Sequence, residues 1–203
     1  MDSPGENPPV VVGISGASGA VLARATIERL LSDERPVIAT ATAAARMVWR
    51  QESEESFGEA LERWADWGTF TYCPVGDLAA PIASGTFPTA GMVVTPCSMA
   101  TVAAISSGFA DNLLRRAADV TLKEHRPLVI VPRETPLTDT HLENMARLAR
   151  RGVVVLPPHP PFYLGDASIG RTVDFIVERT MVALGLTDRM PEGMTYREPE
   201  RYA

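Results

Sequence analysis

Cysteine and histidine are scarce in this chain: two cysteines and three histidines occur among 203 residues. Cys73 and Cys97 lie far apart and form no CxxC pair, so the sequence predicts neither a disulfide framework nor a zinc site. The histidines, His125, His141 and His159, fall in three different segments without metal-binding spacing. We therefore expect no metal. A serine hydrolase is also disfavoured, because no GxSxG motif follows a strand.

Long apolar runs and basic clusters are missing as well. No stretch approaches the roughly 20 apolar residues of a transmembrane helix, and residues 1–9 are acidic and proline-rich, unlike a secretion signal. The formal net charge of −6 and the lack of a basic block disfavour nucleic acid and membranes as partners. The sequence indicates a reduced, cytoplasmic protein that holds anionic ligands with individual basic side chains and N–H groups.

The order of the apolar segments predicts an α/β protein. Helical spacing over residues 21–32 and 43–51 alternates with short apolar runs that show no polar alternation, as in strands buried on both faces of a parallel sheet. Those runs lie at 9–14, 36–39, 92–95, 128–131 and 153–156. The pattern predicts a single-domain Rossmann- or flavodoxin-like open, mostly parallel sheet with helices on both faces. We expect this domain at 9–186, after a flexible segment at 1–8 and before a tail at 187–203.

Two helix starts carry capping residues. Thr140 and Glu143 fit a capping box, in which each side chain accepts from a free N–H of the first turn. Gly152 is placed to end that helix. Ser98 is placed to cap a second helix, which runs toward Gly108.

A glycine-punctuated turn, GISGASGA at residues 13–20, follows the first strand. Glycines let backbone N–H groups approach a ligand, and a helix N-terminus favours an anion. The spacing is GxxGxxG rather than the dinucleotide GxGxxG, and the second strand leads into Thr40-Ala-Thr42 without an acidic ribose ligand. The turn therefore indicates a phosphate or a flavin edge rather than NAD, although a tight turn without a ligand has the same pattern.

A second turn of this kind, PCSMAT at residues 96–101, also follows a strand and opens a helix. The hydroxyls of Ser98 and Thr101 lie beside free N–H groups, as in a second anion site or in plain N-capping. Cys97 has no neighbouring base, so we interpret it as a small buried residue rather than a nucleophile.

Basic residues fall on one helix and on the loop after the next strand. Arg116 and Lys123 are seven residues apart and share a helix face, although a solvated face with an Asp119–Lys123 pair has the same pattern. On the loop, Arg133 offers a bidentate fork for phosphate and Glu134 a group that takes or gives a proton, although such a pair is also common on surfaces. The helix is predicted to turn four residues toward the core: Leu113, Ala117, Ala118 and Val120.

Together these segments resemble the UbiX family of flavin prenyltransferases. The matching stretches are residues 13–20, 83–85, 96–98, 116–136, 141–145 and 161–163. The resemblance runs from about residue 10 to 185, and its most specific part is the block at 116–136. It implies a Rossmann-like FMN-binding domain at 9–186, assembled into a dodecamer with sites between subunits. It also implies transfer of the dimethylallyl group of dimethylallyl phosphate to N5 and C6 of reduced FMN without a metal, and delivery of prenylated FMN to a UbiD-type decarboxylase.

The resemblance also implies roles for individual residues. FMN contacts are implied for Gly16, Ala17, Ser18, Thr42, Ser98, Thr101 and Arg116. Contacts to dimethylallyl phosphate are implied for Lys123, Arg133, Tyr163 and Arg179. Catalytic roles are implied for Ser18, Glu52, Lys123 and Glu134, with Glu134 moving a proton as the phosphate departs.

Some positions depart from the family pattern, and other functions stay open. Thr42 stands where the family commonly has Ser, and Leu78 where members often have a Trp that lines the prenyl pocket. The tail lacks a late Trp that often closes the site, for which Tyr196 or Tyr202 could substitute. An FMN-dependent cysteine decarboxylase of the same superfamily and a non-catalytic FMN carrier or accessory subunit are the alternatives; an NAD oxidoreductase is more distant.

Overall fold

The computed structural model describes residues 7–165 and 168–195, in which six strands and seven α-helices alternate along the chain. Tyr196 and Tyr202, which the sequence offers as substitutes for the late Trp, lie outside the described residues. The strands are β1 (Val10–Ile14), β2 (Val37–Ala41), β3 (Phe70–Tyr72), β4 (Gly91–Cys97), β5 (Leu128–Pro132) and β6 (Val154–Val155). The helices are α1 (Ala20–Ser32), α2 (Ala43–Glu52), α3 (Phe57–Trp67), α4 (Met99–Ser107), α5 (Leu113–Lys123), α6 (Asp139–Arg150) and α7 (Ile169–Ala183). None of the helices within the described ranges has the length and apolar character needed to cross a membrane.

The six strands form one parallel sheet in the order β3-β2-β1-β4-β5-β6. The chain builds outward from β1 to β3, crosses back to place β4 beside β1, and then builds outward to β6. This is the doubly wound Rossmann order, and it confirms the predicted open sheet. Val12 pairs with Ala39 on one side and with Val93 on the other, so the first strand is central.

The core has one apolar layer on each face of the sheet. Val10, Val12 and Ile14 belong to the layer that also contains buried residues of α1, α2, α3 and α7. Val11 belongs to the opposite layer, with buried residues of α4, α5 and α6. Because both faces are covered, the strands need apolar residues at every position, which is why they read as unbroken runs.

The packing of α2 and α3 rests on aromatic residues that the sequence interpretation passed over. Trp49 and Trp64 are fully buried and meet edge to face at 5.7 Å. The indole N–H of Trp49 donates to the Glu55 carbonyl at 2.9 Å, and a Ser56–Glu59 capping box starts α3. The short edge strand β3 was also missed, because its three residues are only partly buried or exposed.

The predicted capping box at Thr140–Glu143 is wrong. The N-cap of α6 is Thr138, whose hydroxyl accepts from the His141 N–H, while His141 Nδ1 accepts from the Thr138 N–H, both at 3.3 Å. Thr140 lies within the first turn, where its N–H donates to the Asp139 carboxylate at 2.7 Å. Two threonines two residues apart are both acceptable caps, and the sequence pattern alone does not separate them.

Three other predictions about helix ends and burial are confirmed. Ser98 caps α4, and Gly108 ends it with a φ of 74°. Gly152 follows α6 with a φ of 83°. The four residues that the sequence predicted on the core side of α5 are all buried: Leu113, Ala117, Ala118 and Val120.

Candidate active site

The glycine turn after β1 and the turn after β4 meet at the carboxyl edge of the sheet. Ser15 joins them, because its hydroxyl donates to the Pro96 carbonyl at 3.0 Å and accepts from the Ser98 N–H at 2.7 Å. Ser15 is almost fully buried. This is the point where the strand order reverses, and open α/β sheets bind ligands there. Sequence reasoning missed Ser15, since only the pairing of β1 with β4 supplies its partners.

The glycine turn is packed closely against the start of α2. A methyl group added at Gly16 would overlap that of Ala44 and would lie 3.3 Å from the Ala44 carbonyl carbon. Thr42 accepts from the Ala45 N–H at 3.1 Å as the α2 N-cap, and its own N–H donates to the Ile14 carbonyl at 3.0 Å. The fold thus brings Gly16 beside the start of α2, which Thr42 caps.

Glu52, at the end of α2, binds the N-terminus of α1. Its Oε2 accepts from the N–H groups of Gly19 and Ala20, both at 2.8 Å. Burial alone would raise the pKa of Glu52, but hydrogen bonds from the Ser18 hydroxyl and these two N–H groups, with the positive charge of Arg133, lower the pKa below its usual range. The anion at the α1 N-terminus in this structure is therefore a carboxylate of the protein itself.

The start of α4 offers donors that the protein does not use itself. Ser98 accepts from the Thr101 N–H at 3.4 Å and donates to the Thr101 hydroxyl at 3.1 Å. The N–H groups of Met99 and Ala100 have no acceptor among the described residues, as is usual in a first helical turn. Hydroxyls and free N–H groups at a helix start suit a phosphate.

Cys97 lies at the end of β4 and is fully buried. Burial raises the pKa of its thiol. The thiol is therefore protonated at neutral pH and unsuited to be a nucleophile, which supports the interpretation of Cys97 as a small buried residue.

The Arg133–Glu134 loop stands beside these two turns at the same edge. The Arg133 N–H donates to the Cys97 carbonyl at 3.2 Å, and both side chains are exposed. The Thr135 N–H donates to the Glu134 carboxylate at 3.1 Å. A cavity of about 190 Å³ opens next to the loop, lined by Met99, Pro132, Arg133, Glu134, Thr135, Leu137, Met145, Pro157, Pro158 and His159.

Lys123 lies at the opposite edge of the sheet. The helix α5 begins at the carboxyl edge, where the Leu113 N–H donates to the Val75 carbonyl, and runs back for 11 residues, about 16 Å. Near its end the Thr121 hydroxyl contacts the sulfur of Met92 at the start of β4. Within a single chain, Lys123 therefore lies far from Arg133.

The alternative interpretation of α5, a solvated face with an Asp119–Lys123 pair, is wrong about that pair. Asp119 instead accepts from Arg116 Nη1 at 2.9 Å, and Lys123 pairs with Glu124. Arg116 and Asp119 are three residues apart and share a helix face, so the long Arg116 side chain can pair with the short Asp119 side chain. Arg116 Nε also donates to the Ala83 carbonyl at 3.1 Å, so Arg116 is tied to the segment before β4.

Tyr163 and Arg179 form a third group of candidate residues, on the side of the sheet covered by α1 and α7. Tyr163 is 70% exposed and meets Phe175 edge to face at 6.2 Å. Arg179 is an exposed residue of α7, which packs against α1. Leu78, at the position of the expected Trp, is 52% exposed.

One chain therefore gathers only part of the predicted site. The carboxyl edge holds Gly16, Ala17, Ser18, Thr42, Glu52, Ser98, Thr101, Arg133 and Glu134. Lys123, at the end of α5, lies apart from this group at the opposite edge of the sheet. Arg116 contacts Ala83 and Asp119, and Tyr163 contacts Phe175.

Sequence comparison supplies the decisive observation. The profile of the Flavoprotein family matches residues 2–181. The flavin prenyltransferase LpdB of Lactiplantibacillus plantarum is 45% identical over 190 residues, which cover 91% of this chain and 98% of LpdB. The chain belongs to the UbiX-type flavin prenyltransferases of the Flavoprotein family.

Solved structures agree with this family membership. A dodecameric FMN-dependent UbiX-like decarboxylase from Escherichia coli O157:H7 has a TM-score of 0.85 and 38% identity, over 94% of this chain and 100% of that one. AnUbiX (PadA1) in complex with FMN and dimethylallyl pyrophosphate has a TM-score of 0.86 and 34% identity, over 96% of this chain and 99% of that one.

The donors at the carboxyl edge fit the FMN of a UbiX-type flavoprotein. Hydroxyls of Ser18, Thr42, Ser98 and Thr101 and the free N–H groups of α4 match the phosphate and polar groups of that cofactor. Glu52, a carboxylate that contacts the glycine turn, already has its charge bound by N–H groups. A phosphate at α4 therefore meets donors rather than an unpaired negative charge.

Proposed function

We propose that this chain is a flavin prenyltransferase that joins the dimethylallyl group of dimethylallyl phosphate to N5 and C6 of reduced FMN. The observation that carries the proposal is the meeting of three turns at one sheet edge: the glycine turn, the α4 start and the Arg133–Glu134 loop. The first two form a cradle for a phosphorylated cofactor. The third adds a cation and a proton-transfer group, which a cradle for FMN alone does not need.

In this proposal, the α4 start holds the FMN phosphate through Ser98, Thr101 and the free N–H groups of Met99 and Ala100. The glycine turn and Thr42 contact the rest of the cofactor. Reduced FMN supplies the electron-rich atoms that attack the prenyl carbon. Ser18 and Glu52 keep a defined hydrogen-bonded arrangement beside it, because the Glu52 carboxylate is fixed by two backbone donors.

Departure of the phosphate is the step that the basic residues assist. Breaking the allylic C–O bond spreads positive charge over carbon and leaves negative charge on the phosphate. Arg133, Lys123 and Arg179 stabilise that negative charge, and the Tyr163 hydroxyl donates to it. Glu134 transfers a proton as the phosphate leaves. Because the net charge of the chain is −6, local cations rather than the overall field must hold this anion.

A complete site needs more than one copy of the chain. Lys123 lies at the amino edge of the sheet and Glu134 at the carboxyl edge, so a single chain does not bring these two residues together. Three large apolar side chains in the segment 162–169 are mostly exposed to solvent: Phe162 (75%), Tyr163 (70%) and Ile169 (79%). Such exposure is typical of an interface. We infer a closed assembly, a dodecamer like that of the E. coli relative, in which neighbouring copies complete each site.

The product has a defined destination in this proposal. Prenylated FMN leaves for a UbiD-type decarboxylase, and both reactions take place in the cytoplasm.

A cysteine decarboxylase or a non-catalytic FMN carrier needs the cradle but not Lys123, Arg133, Glu134 and Tyr163. Retention of those four residues favours the prenyltransferase over both alternatives.

The test is to incubate the purified protein with FMN, dithionite and dimethylallyl phosphate under anaerobic conditions, and to weigh the released flavin. A gain of one C5 unit is expected. Glu134→Gln should keep FMN bound, as measured by quenching of flavin fluorescence, while the C5 product forms at least about 100-fold more slowly, as expected on loss of a general acid or base. An unmodified flavin with both the monophosphate and the diphosphate donor would rule out the proposed reaction.

A further inference from the structure

Arg126 holds the segment that faces Lys123. We call residues 83–89, which run from the last residue of the helical turn Pro81–Ala83 toward β4, the 83–89 loop. Arg126 Nη2 donates to the Gly85 carbonyl at 2.8 Å, and Nη1 donates to the Phe87 carbonyl at 2.8 Å and to the Thr89 hydroxyl at 3.1 Å. One guanidinium therefore binds three points of the loop, over five residues of chain.

The backbone that carries Arg126 is itself fixed relative to Lys123. The Arg126 N–H donates to the Thr121 carbonyl at 3.0 Å and the His125 N–H to the Leu122 carbonyl at 3.1 Å, the hydrogen bonds of a Schellman ending. His125 has a φ of 54° at the position where glycine is usual. A side chain disfavours this left-handed conformation, so tertiary contacts must hold this ending, and those of Arg126 are among them.

The loop lies close to Lys123 at Gly85. A methyl group added at Gly85 would overlap both the Lys123 ammonium and the Glu124 carboxylate. Gly85 is also the residue whose carbonyl Arg126 binds. Gly85 therefore links the position of the loop to the position of the Lys123 ammonium.

We propose that Arg126 is a positioning residue: it holds the 83–89 loop against Lys123 and so fixes where the ammonium meets the phosphate of the prenyl donor. The inference rests on the proposed function, because it takes Lys123 to be a ligand of that phosphate. Lys123 is exposed, has a flexible stem and pairs with Glu124; because both side chains lie against Gly85, the loop limits the positions that the ammonium can take. In this proposal Arg126 acts through the loop and not by contact with substrate or cofactor.

The test compares two variants with a matched control. Arg126→Lys keeps the charge but loses the planar fork that reaches three acceptors. Gly85→Ala leaves Arg126 intact and pushes the Lys123 ammonium away directly, against side chains that can move, so the fold should survive. Arg63→Lys is the control, because Arg63 also makes three contacts, to Glu28 and Glu55, on the distant helix α3. For each protein, KM for dimethylallyl phosphate, kcat, FMN affinity and Tm are measured.

The expected result is a rise of about tenfold in KM for the prenyl donor in both Arg126→Lys and Gly85→Ala, the size of one lost charge-assisted contact. FMN affinity should stay within about twofold, and Arg63→Lys should change Tm only. An unchanged donor KM in folded Arg126→Lys overturns the inference, as does a parallel loss of FMN affinity, which would mean a general structural role. Failure of the proposed function is seen separately, since the unmodified protein would then make no C5 product.

Discussion

Replacing Gly16 by Ala is the sharpest perturbation of the cofactor cradle. The added methyl group would lie against Ala44, 3.3 Å from its carbonyl carbon and 3.4 Å from its Cα, and would overlap its methyl group. Neither methyl group can rotate away, because both are attached directly to backbone. The turn and the start of α2 must therefore separate.

The size of the effect follows from that overlap. Carbon atoms in contact are about 3.5 to 4.0 Å apart, so the two segments must move apart by roughly 1 Å. Overpacking of this kind costs about 1 to 3 kcal/mol of the free energy of unfolding. A shift of about 1 Å in a ligand-positioning segment can weaken its function about 100-fold, so we expect FMN affinity to fall at least about tenfold.

The assay is FMN titration by flavin fluorescence, with urea unfolding of the FMN-free protein beside it. Gly58→Ala is the control, since the nearest atom to its added methyl group is Ser56 Oγ at 4.0 Å. Ala44→Gly should suppress the defect, because it removes the methyl group that is struck. Ala44→Gly alone costs about 1 kcal/mol of helix propensity in α2, so the double variant is compared with that single variant.

The reasoning is refuted if Gly16→Ala binds FMN as tightly as the unsubstituted protein. It is also refuted if the double variant with Ala44→Gly binds no better than Gly16→Ala alone. A coupling free energy near zero in this double-mutant cycle would mean that the two residues do not meet as the structure shows.

Three further predictions test the site, the fold and the assembly. Glu52→Gln should lower the free energy of unfolding by about 1 kcal/mol at pH 7, allowing for solvent screening. Because the folded pKa of Glu52 is lowered, the carboxylate stabilises the fold above the ordinary carboxyl pKa of about 4.3. In urea titrations, the difference in stability between the variant and the unsubstituted protein should vanish as the pH falls through the folded pKa. Thr138→Ala should cost about 1 kcal/mol through loss of the α6 cap, whereas Thr140→Ala should cost less than half of that; equal losses in urea unfolding would argue against the cap at Thr138. Lys123→Ala and Glu134→Gln should each be nearly inactive, yet co-refolding equal amounts should restore about a quarter of the activity if the two residues come from different copies, and none if each site uses one chain.

The sequence was enough to predict the architecture and the turns of the proposed cofactor cradle. Unbroken apolar runs between helical segments predict a sheet covered on both faces, because a strand without a polar side has no face for water. The carboxyl ends of parallel strands share one edge, so the turns at residues 13–20 and 96–101 and the loop with Glu134 had to come near one another. The short strand β3 was missed because its residues are only partly buried or exposed. The α6 cap was misplaced because two threonines two residues apart are both acceptable caps.

Only the tertiary structure decided how these groups are connected. It placed the buried Ser15 between two turns that are 81 residues apart, and it gave the α1 N-terminus to the Glu52 carboxylate. It also placed Lys123 at the far edge, because α5 runs back across the sheet, so that within one chain Lys123 lies far from Arg133 although it shares a helix with Arg116. Sequence spacing fixes which residues share an element, whereas the distances between elements depend on strand order and packing.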